Sequence, residues 1–399
     1  MYLDAYSQQL PRYVSNQGTY ANTTPTEVPS FQSPSRRKEP NLPGMPNNRR
    51  QHSYGSSRSH SHSHTPQTST TLNLHIPSLH DAIPIETSLT VPTVLPSCCR
   101  IAIIAHPYGP LGGTRHDPVV QHISAVLVAH GFIASTFNFR GCGHSKGRTS
   151  WTGKAETGDY AAVAAWTLNF AAELQDSAIE GVELMLAGYS YGALVAARCP
   201  RCEELVRAVM SPPNEAFRKA LAAGKRSARS WFQSHSEVGR TSYSGARSPP
   251  LLPQHSSLSE SELRPPLSPL VAATPEPQVD LASLRIATRF LLVSPPLPPI
   301  SFCLLPSFGF EPAVESAVDP LTAAKREAKG AKMLVAWGDD DVFTGAKKYR
   351  RWGEKMLAAL GEGFESVEVE GAGHFWGERD LEVVEKEVER WLAGSNVEA

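Results

Sequence analysis

The apolar run L-M-L-A at 184–187 passes directly into G-Y-S-Y-G at 188–192, and the small residues A-L-V-A-A follow. An apolar run of this kind predicts a strand that is buried on both faces. The two glycines would allow the strand to turn sharply into a helix, because a Cβ at either position would clash. Such a turn would raise the hydroxyl of Ser190 above the edge of a sheet. The pattern is short, so its meaning depends on the elements around it.

Strand-like and helix-like segments alternate on both sides of this turn. Alternating residues at 71–77 and 85–92 predict a half-exposed hairpin. Mostly apolar segments predict further strands near 100–106, 132–139, 182–187, 289–293 and 331–337. The segment E-S-V-E-V-E near 365–370 is predicted as the last strand. Helices are expected between several of them, so the chain predicts an α/β fold with a mainly parallel, doubly wound sheet flanked by helices.

The predicted helices carry recognisable start and stop signals. Asp117 and Pro118 are typical of a helix N-terminus, and Gly131 is typical of its end. A second helix is expected over 159–174. The final helix is predicted from four apolar residues at helical spacing: Leu381, Val384, Val388 and Trp391.

Two stretches do not follow this alternation. Residues 1–71 are rich in Ser, Pro, Asn, His and Arg, and they predict a disordered tail. Residues 212–284 are read as a Ser/Pro-rich, largely disordered insertion, because so long a structureless loop is rare inside a compact domain. The 33 prolines are too many for one compact domain of this length, which favours unpacked segments. The folded domain is therefore predicted over 72–394, interrupted by this insertion.

Composition excludes several classes of function. The formal net charge is −1, so no bulk field favours nucleic acid or an anionic membrane. The six cysteines are too few for a disulfide scaffold, and no secretory signal opens the chain, so a reduced, cytoplasmic protein is expected. The longest uncharged stretch, 290–310, contains five prolines, which forbid a continuous helix and hence a membrane span.

A serine nucleophile needs a base, which a carboxylate must orient. In folds with this strand–turn–helix motif, the chain order is serine, then acid, then histidine. Three histidines follow Ser190, and His235 and His255 lie in the predicted insertion. His374 lies just beyond the last predicted strand, where a loop could reach back over the sheet, so it is the predicted base.

The acid is sought in G-D-D-D, directly after the strand at 331–337. The carboxyl ends of strands are where sites in open parallel sheets collect. Three adjacent acids cannot all face one imidazole. Asp341 is chosen on its Gly-x-x-Asp spacing and Asp339 is the alternative, while Asp340 remains a third possibility.

An oxyanion site needs two amide donors. The Tyr191 amide, at the start of the helix after the serine, is the first candidate. In H-P-Y-G-P-L-G-G-T, after the strand at 101–105, Pro107 has no N–H group, so the next amide, Tyr108, is the second. A plain Pro/Gly turn remains the alternative. His106 precedes Ser190 in the chain and is expected to shape this loop.

Five segments then resemble α/β-hydrolases in their order: H-P-Y-G-P-L-G-G-T, F-N-F-R-G-C-G-H-S-K-G, A-G-Y-S-Y-G, W-G-D-D-D and G-A-G-H-F. They look most like the small, dienelactone-hydrolase-related serine hydrolase group. The resemblance covers 72–211 and 285–394. Dienelactone hydrolases proper use a cysteine nucleophile, so their substrate does not carry over.

The resemblance implies that Ser190 is the nucleophile, Asp341 the acid and His374 the base. It also supports Tyr108 and Tyr191 as amide donors. The segment 140–145 would shape the loop after the fourth strand and take no part in the chemistry.

The sequence therefore predicts a serine hydrolase that cleaves an ester, thioester or amide through an acyl-enzyme, most similar to a carboxylesterase. The alternatives are a peptidase of the Xaa-Pro dipeptidyl type, an acyltransferase, or a non-catalytic scaffold with the same fold. A small acyl substrate is expected, with no cofactor and no metal. The sequence does not indicate which proteins the tail would bind.

Overall fold

The computed structural model describes residues 69–96, 98–150, 153–174, 181–236, 281, 284–298 and 332–394. Within them lies one eight-stranded sheet. Its strands are β1 (Ser69–Pro77), β2 (Pro84–Pro92), β3 (Cys99–Ala105), β4 (Ile133–Phe137), β5 (Gly181–Tyr189), β6 (Arg285–Val293), β7 (Lys332–Gly338) and β8 (Phe364–Val369).

The strand order is β1-β2-β4-β3-β5-β6-β7-β8. β1 and β2 form the expected antiparallel hairpin, and β2 also pairs antiparallel with β4. All pairings from β4 through β8 are parallel. The mainly parallel sheet predicted from the sequence is therefore confirmed, and the carboxyl ends of β3, β5, β7 and β8 lie along one edge.

Helices cover both faces of the sheet. They are α1 (Pro118–Ala129), α2 (Lys154–Leu174), α3 (Tyr191–Ala196), α4 (Cys202–Met210), α5 (Glu215–Ser236), α6 (Ala346–Leu360) and α7 (Glu378–Gly394). α1 and α7 contribute to one apolar cluster, and α2 to α6 contribute to the other. The two clusters use alternate residues of the same central strands, which explains why those strands read as continuous apolar runs.

Several sequence signals act as predicted. The Asp117 side chain accepts a hydrogen bond from the Val119 amide at 2.9 Å and caps α1, with Pro118 at the first helical position. The four apolar residues of α7 are all buried. α2 begins at Lys154, five residues before the predicted start.

The prediction of a largely disordered insertion is wrong for the first part of that segment. Residues 215–236 form α5, a helix of 22 residues. Its buried residues recur every three or four positions, a helical period that its serines obscure: Phe217, Leu221, Gly224, Ala228 and Trp231. The rest of the predicted insertion, apart from 212–214, 281 and 284, lies outside the described residues.

α5 is held in place by α2. Trp166 Nε1 donates to the Ala220 carbonyl at 2.9 Å, and Asn169 Nδ2 donates to the Leu221 carbonyl at 3.1 Å. Gly224 lets the two helices approach closely, since a Cβ there would lie 3.0 Å from the Trp166 ring. Long-range packing, together with the helical period, makes this segment part of the domain.

The predicted tail also ends earlier than expected, because β1 begins at Ser69 and includes the last three residues assigned to the tail. Residues 1–68 lie outside the described residues. Across the described ranges, no helix combines the length and the apolar character that crossing a bilayer requires.

Candidate active site

Ser190 lies at the tight turn between β5 and α3. Its backbone has φ 54° and ψ −120°, a strained conformation for a residue with a Cβ. A Cβ on Gly188 would lie 2.4 Å from the Gly192 backbone, and one on Gly192 would lie 2.4 Å from the Ala105 carbonyl oxygen. Only glycine fits at either position, as the sequence predicts.

The three predicted triad residues are close together. His374 Nε2 lies 2.8 Å from Ser190 Oγ, and His374 Nδ1 lies 2.8 Å from Asp341 Oδ2. An ionised carboxylate can only accept, so Nδ1 carries the proton and Nε2 is free to accept the serine proton. The side chains are nearly enclosed: Ser190 is 7% exposed, His374 4% and Asp341 5%. Together they form one continuous hydrogen-bonded chain.

Asp341 is fixed by the loop that carries it. Its Oδ1 accepts from the Phe343 amide at 2.8 Å and from the Thr344 amide at 2.9 Å, leaving Oδ2 for His374. The Tyr349 hydroxyl on α6 lies 3.4 Å from Oδ2. These donors hold the carboxylate in one orientation toward the imidazole.

The two neighbouring aspartates lie elsewhere. Asp339 accepts from the Gly371 amide at 2.7 Å and holds the turn that follows β8. Asp340 is exposed, and its amide donates to the Ala372 carbonyl at 3.0 Å. Neither carboxylate has His374 as a hydrogen-bond partner.

Sequence reasoning missed the groups that position the histidine. The Tyr189 hydroxyl donates to the His374 carbonyl at 2.7 Å, so the residue before the serine holds the loop of the base. The Phe343 ring packs edge-on against the imidazole, with 4.5 Å between ring centroids. The sequence signal for such a contact is the tyrosine on each side of the serine in Y-S-Y.

The two candidate amide donors belong to residues in direct contact. The rings of Tyr108 and Tyr191 pack edge-on with centroids 5.1 Å apart. Leu111 and Gly113 donate their amides to the Tyr108 carbonyl, which folds the loop after β3 into a tight turn. Neither the Tyr108 nor the Tyr191 amide has an acceptor among the described residues.

His106 shapes the loop, as expected, and is fully buried. The Phe139 amide donates to its Nε2 at 2.9 Å, so Nδ1 carries the proton and donates to the Pro107 carbonyl at 2.6 Å. Burial lowers the pKa of this imidazole to about 4, although the bond to the Pro107 carbonyl opposes the shift. This histidine joins the loops after β3 and β4.

The segment 140–145 is also structural. Arg140 pairs with Asp159 at 2.7 Å and with Asp81 at 3.0 Å. The Ser145 hydroxyl donates to the Asn138 carbonyl at 2.6 Å. These contacts fix the loop after β4, and none of them involves the serine, histidine and aspartate described above.

A model of the alpha/beta hydrolase family matches residues 103–386, more than half of the 399 residues. The chain belongs to the alpha/beta hydrolase family. No curated protein matches it. The narrower resemblance to dienelactone-hydrolase-related enzymes stays a prediction.

Solved structures of low sequence identity are similar to this alpha/beta hydrolase. An alpha-beta serine hydrolase homologue from Coxiella burnetii is 18% identical, with a TM-score of 0.44, over 80% of this chain and 97% of its own. An a/b serine hydrolase without lid from Xanthomonas campestris is 20% identical, with a TM-score of 0.42, over 82% and 96%. Est1E from Butyrivibrio proteoclasticus, with ferulic acid bound, is 14% identical, with a TM-score of 0.45, over 80% and 98%.

The geometry gives this alpha/beta hydrolase the parts that nucleophilic catalysis requires. A hydroxyl lies within hydrogen-bond distance of a base, and a fixed carboxylate orients the base. In the part of the chain that the structure describes, no three His, Cys, Asp or Glu side chains are grouped to hold a metal ion.

Proposed function

We propose that this alpha/beta hydrolase is a serine hydrolase of the carboxylesterase type, acting on small acyl substrates. The observation that carries the proposal is the continuous hydrogen-bonded chain from Asp341 through His374 to Ser190, with both distances at 2.8 Å. The same three side chains could also cleave thioesters or amides.

In the first half-reaction, Ser190 Oγ forms a bond to the substrate carbonyl carbon as its proton moves to His374 Nε2. Asp341 stabilises the imidazolium and does not take the proton. The carbonyl electron pair moves onto oxygen, where the Tyr108 and Tyr191 amides are proposed to donate. The bond to the leaving group then breaks, and His374 returns the proton to the leaving oxygen.

In the second half-reaction, water replaces the alcohol. His374 accepts a proton from water as its oxygen bonds to the acyl carbon. The Ser190 ester bond then breaks, the proton returns to Ser190 Oγ, and the carboxylic acid leaves. No further reagent is consumed.

The cytoplasm remains the proposed location. The described cysteines are free thiols, which fits a reducing compartment: Cys98, Cys99, Cys142, Cys199 and Cys202.

The test is rapid-mixing hydrolysis of 4-nitrophenyl acetate. Wild-type protein should release a burst of nitrophenolate that approaches one equivalent, followed by slower turnover, because acylation by this activated ester should be faster than deacylation. Ser190→Ala should give neither phase. Ser294→Ala is the matched control: this serine also has a positive φ (43°) and is buried, but its hydroxyl accepts from Trp376.

The alternatives make different predictions. A scaffold would give no turnover in folded wild-type protein, and equal rates in wild type and Ser190→Ala would contradict the proposed nucleophile. A peptidase would prefer Xaa-Pro 4-nitroanilides to esters. An acyltransferase would pass the acyl group to an added alcohol faster than to water.

A further inference from the structure

Two exposed apolar side chains directly follow the acid and the base in the chain. Val342, after Asp341, is 72% exposed, and Phe375, after His374, is 46% exposed. Phe343 follows Val342 in the chain, and its ring centroid lies 6.4 Å from that of Phe375. We call Val342, Phe343 and Phe375 the apolar rim.

Single exposed apolar residues are ordinary on a protein surface. The apolar rim differs because two of its three side chains pack on the imidazole. Phe343 packs on His374 at 4.5 Å between ring centroids, and Phe375 packs on it at 5.6 Å, both edge-on. The half-exposed Phe375 thus carries apolar surface from solvent to the buried imidazole, as expected beside a site that binds an apolar group.

The direction of proton transfer indicates which part of a substrate meets this surface. In the proposed function, on which this inference rests, His374 Nε2 returns its proton to the oxygen of the leaving group. The leaving group must therefore lie beside the imidazole. The carbonyl oxygen faces the Tyr108 and Tyr191 amides instead.

We propose that the apolar rim binds the leaving alcohol of the substrate, so that the preferred substrates are esters of apolar alcohols. An alkyl or aryl group on that side covers Val342 and Phe375 as the ester enters. The rim adds binding energy before the leaving bond breaks, so its effect appears in kcat/KM for acylation.

The test uses two ester series. The first keeps the acetyl group and lengthens the alcohol from ethyl through butyl to hexyl, alkanols of similar basicity. The second keeps the ethyl alcohol and lengthens the acyl chain. Full burial of a methylene is worth about fourfold in affinity, so on a half-exposed rim we expect kcat/KM to rise about twofold per methylene in the alcohol series.

Variants assign the effect to the rim. Phe375→Ala and Val342→Ser should each flatten the dependence of kcat/KM on alcohol length, whereas the slope of the acyl series should stay the same. The matched controls, Phe232→Ala and Val383→Ser, remove exposed apolar side chains of the same types on α5 and α7. They should keep the wild-type slope.

Two results would overturn the proposal: a wild-type alcohol series without a slope, or a slope that persists in both rim variants. A slope confined to the acyl series would place the apolar contact on the other side of the scissile bond. Labelling with a fluorophosphonate separates this failure from that of the proposed function. Labelled protein without the slope rejects the rim alone, whereas folded wild-type protein that is not labelled rejects both.

Discussion

Among the described residues, two histidines are buried near the carboxyl ends of parallel strands, and their hydrogen-bond partners differ. His106 follows β3, and its two ring nitrogens are hydrogen-bonded to backbone groups, the Phe139 amide and the Pro107 carbonyl. His374 follows β8, and its partners are a carboxylate and a hydroxyl. Burial is similar at the two sites, so the partners make the difference.

An imidazole whose Nε2 accepts from a backbone amide has no free lone pair for an incoming proton. His106 is therefore held neutral and serves to join two loops. His374 can take a proton at Nε2, because the hydroxyl that faces it is also the proton source and Asp341 stabilises the resulting charge. The two sites are nevertheless close together. Gly192, in the turn that carries Ser190, packs so tightly on the loop of His106 that a Cβ there would lie 2.6 Å from the His106 carbonyl oxygen.

The largest expected effect separates the two histidines directly. His374→Ala should lower kcat by about a million-fold, because the serine loses its base. His106→Ala should lower the rate of the folded fraction by less than about tenfold, since it removes a loop contact and no proton acceptor. Steady-state ester hydrolysis with active-site titration measures both. Similar losses in the two variants would contradict the distinction.

The next test concerns the carboxylate that His106 lacks. Asp341→Asn should lower kcat by about ten-thousand-fold, because the amide favours the wrong tautomer of His374. Asp339→Asn, a change of the same size two residues away, should have little effect, because Asn can still accept from the Gly371 amide. A larger loss of kcat in Asp339→Asn than in Asp341→Asn would contradict the assignment.

The third test concerns the pH dependence of folding. The pKa of His106 is about 4 in the folded protein, against 6.5 for the free side chain. The unfolded chain therefore binds a proton more readily. The contribution that the neutral His106 makes to the free energy of unfolding is fully present above pH 6.5 and is lost as the pH falls toward 4. The loss should be about 3 kcal/mol in the free energy of unfolding.

Urea unfolding of wild-type protein and His106→Gln at both pH values measures this difference. In the variant, the free energy of unfolding should decrease less between pH 6.5 and pH 4, because the part due to His106 is absent. Identical pH dependences in the two proteins would show that this histidine is not held neutral.

The smallest expected effect concerns the contact that holds His374 in position. Tyr189→Phe removes the donor to the His374 carbonyl and should lower kcat/KM by about tenfold, because the base is held less firmly. Tyr160→Phe is the matched control, since that buried hydroxyl donates to the Ile103 carbonyl at 2.8 Å. The control should lose stability and keep its activity. An unchanged kcat/KM in Tyr189→Phe would remove the positioning role.

The sequence predicted what local chemistry determines. The glycines of the turn, the cap at Asp117 and the runs of the buried strands each have a cause within a few residues. The choice of Asp341 over Asp339 could only be ranked from spacing, because the turn after β8 decides which carboxylate meets the imidazole. α5 was missed because its apolar residues are diluted by serine and arginine, and its packing on α2 is a long-range contact. The Tyr189 hydroxyl was missed for the same reason.

The central claim is that Ser190 is the one activated serine of the described domain. The most direct measurement is labelling with a fluorophosphonate, read out by intact mass and by peptide mapping. We expect one adduct per chain, on the peptide that contains Ser190, in wild type and in Ser294→Ala, and none in Ser190→Ala. An unlabelled folded wild-type protein, or equal labelling of Ser190→Ala, would contradict the account.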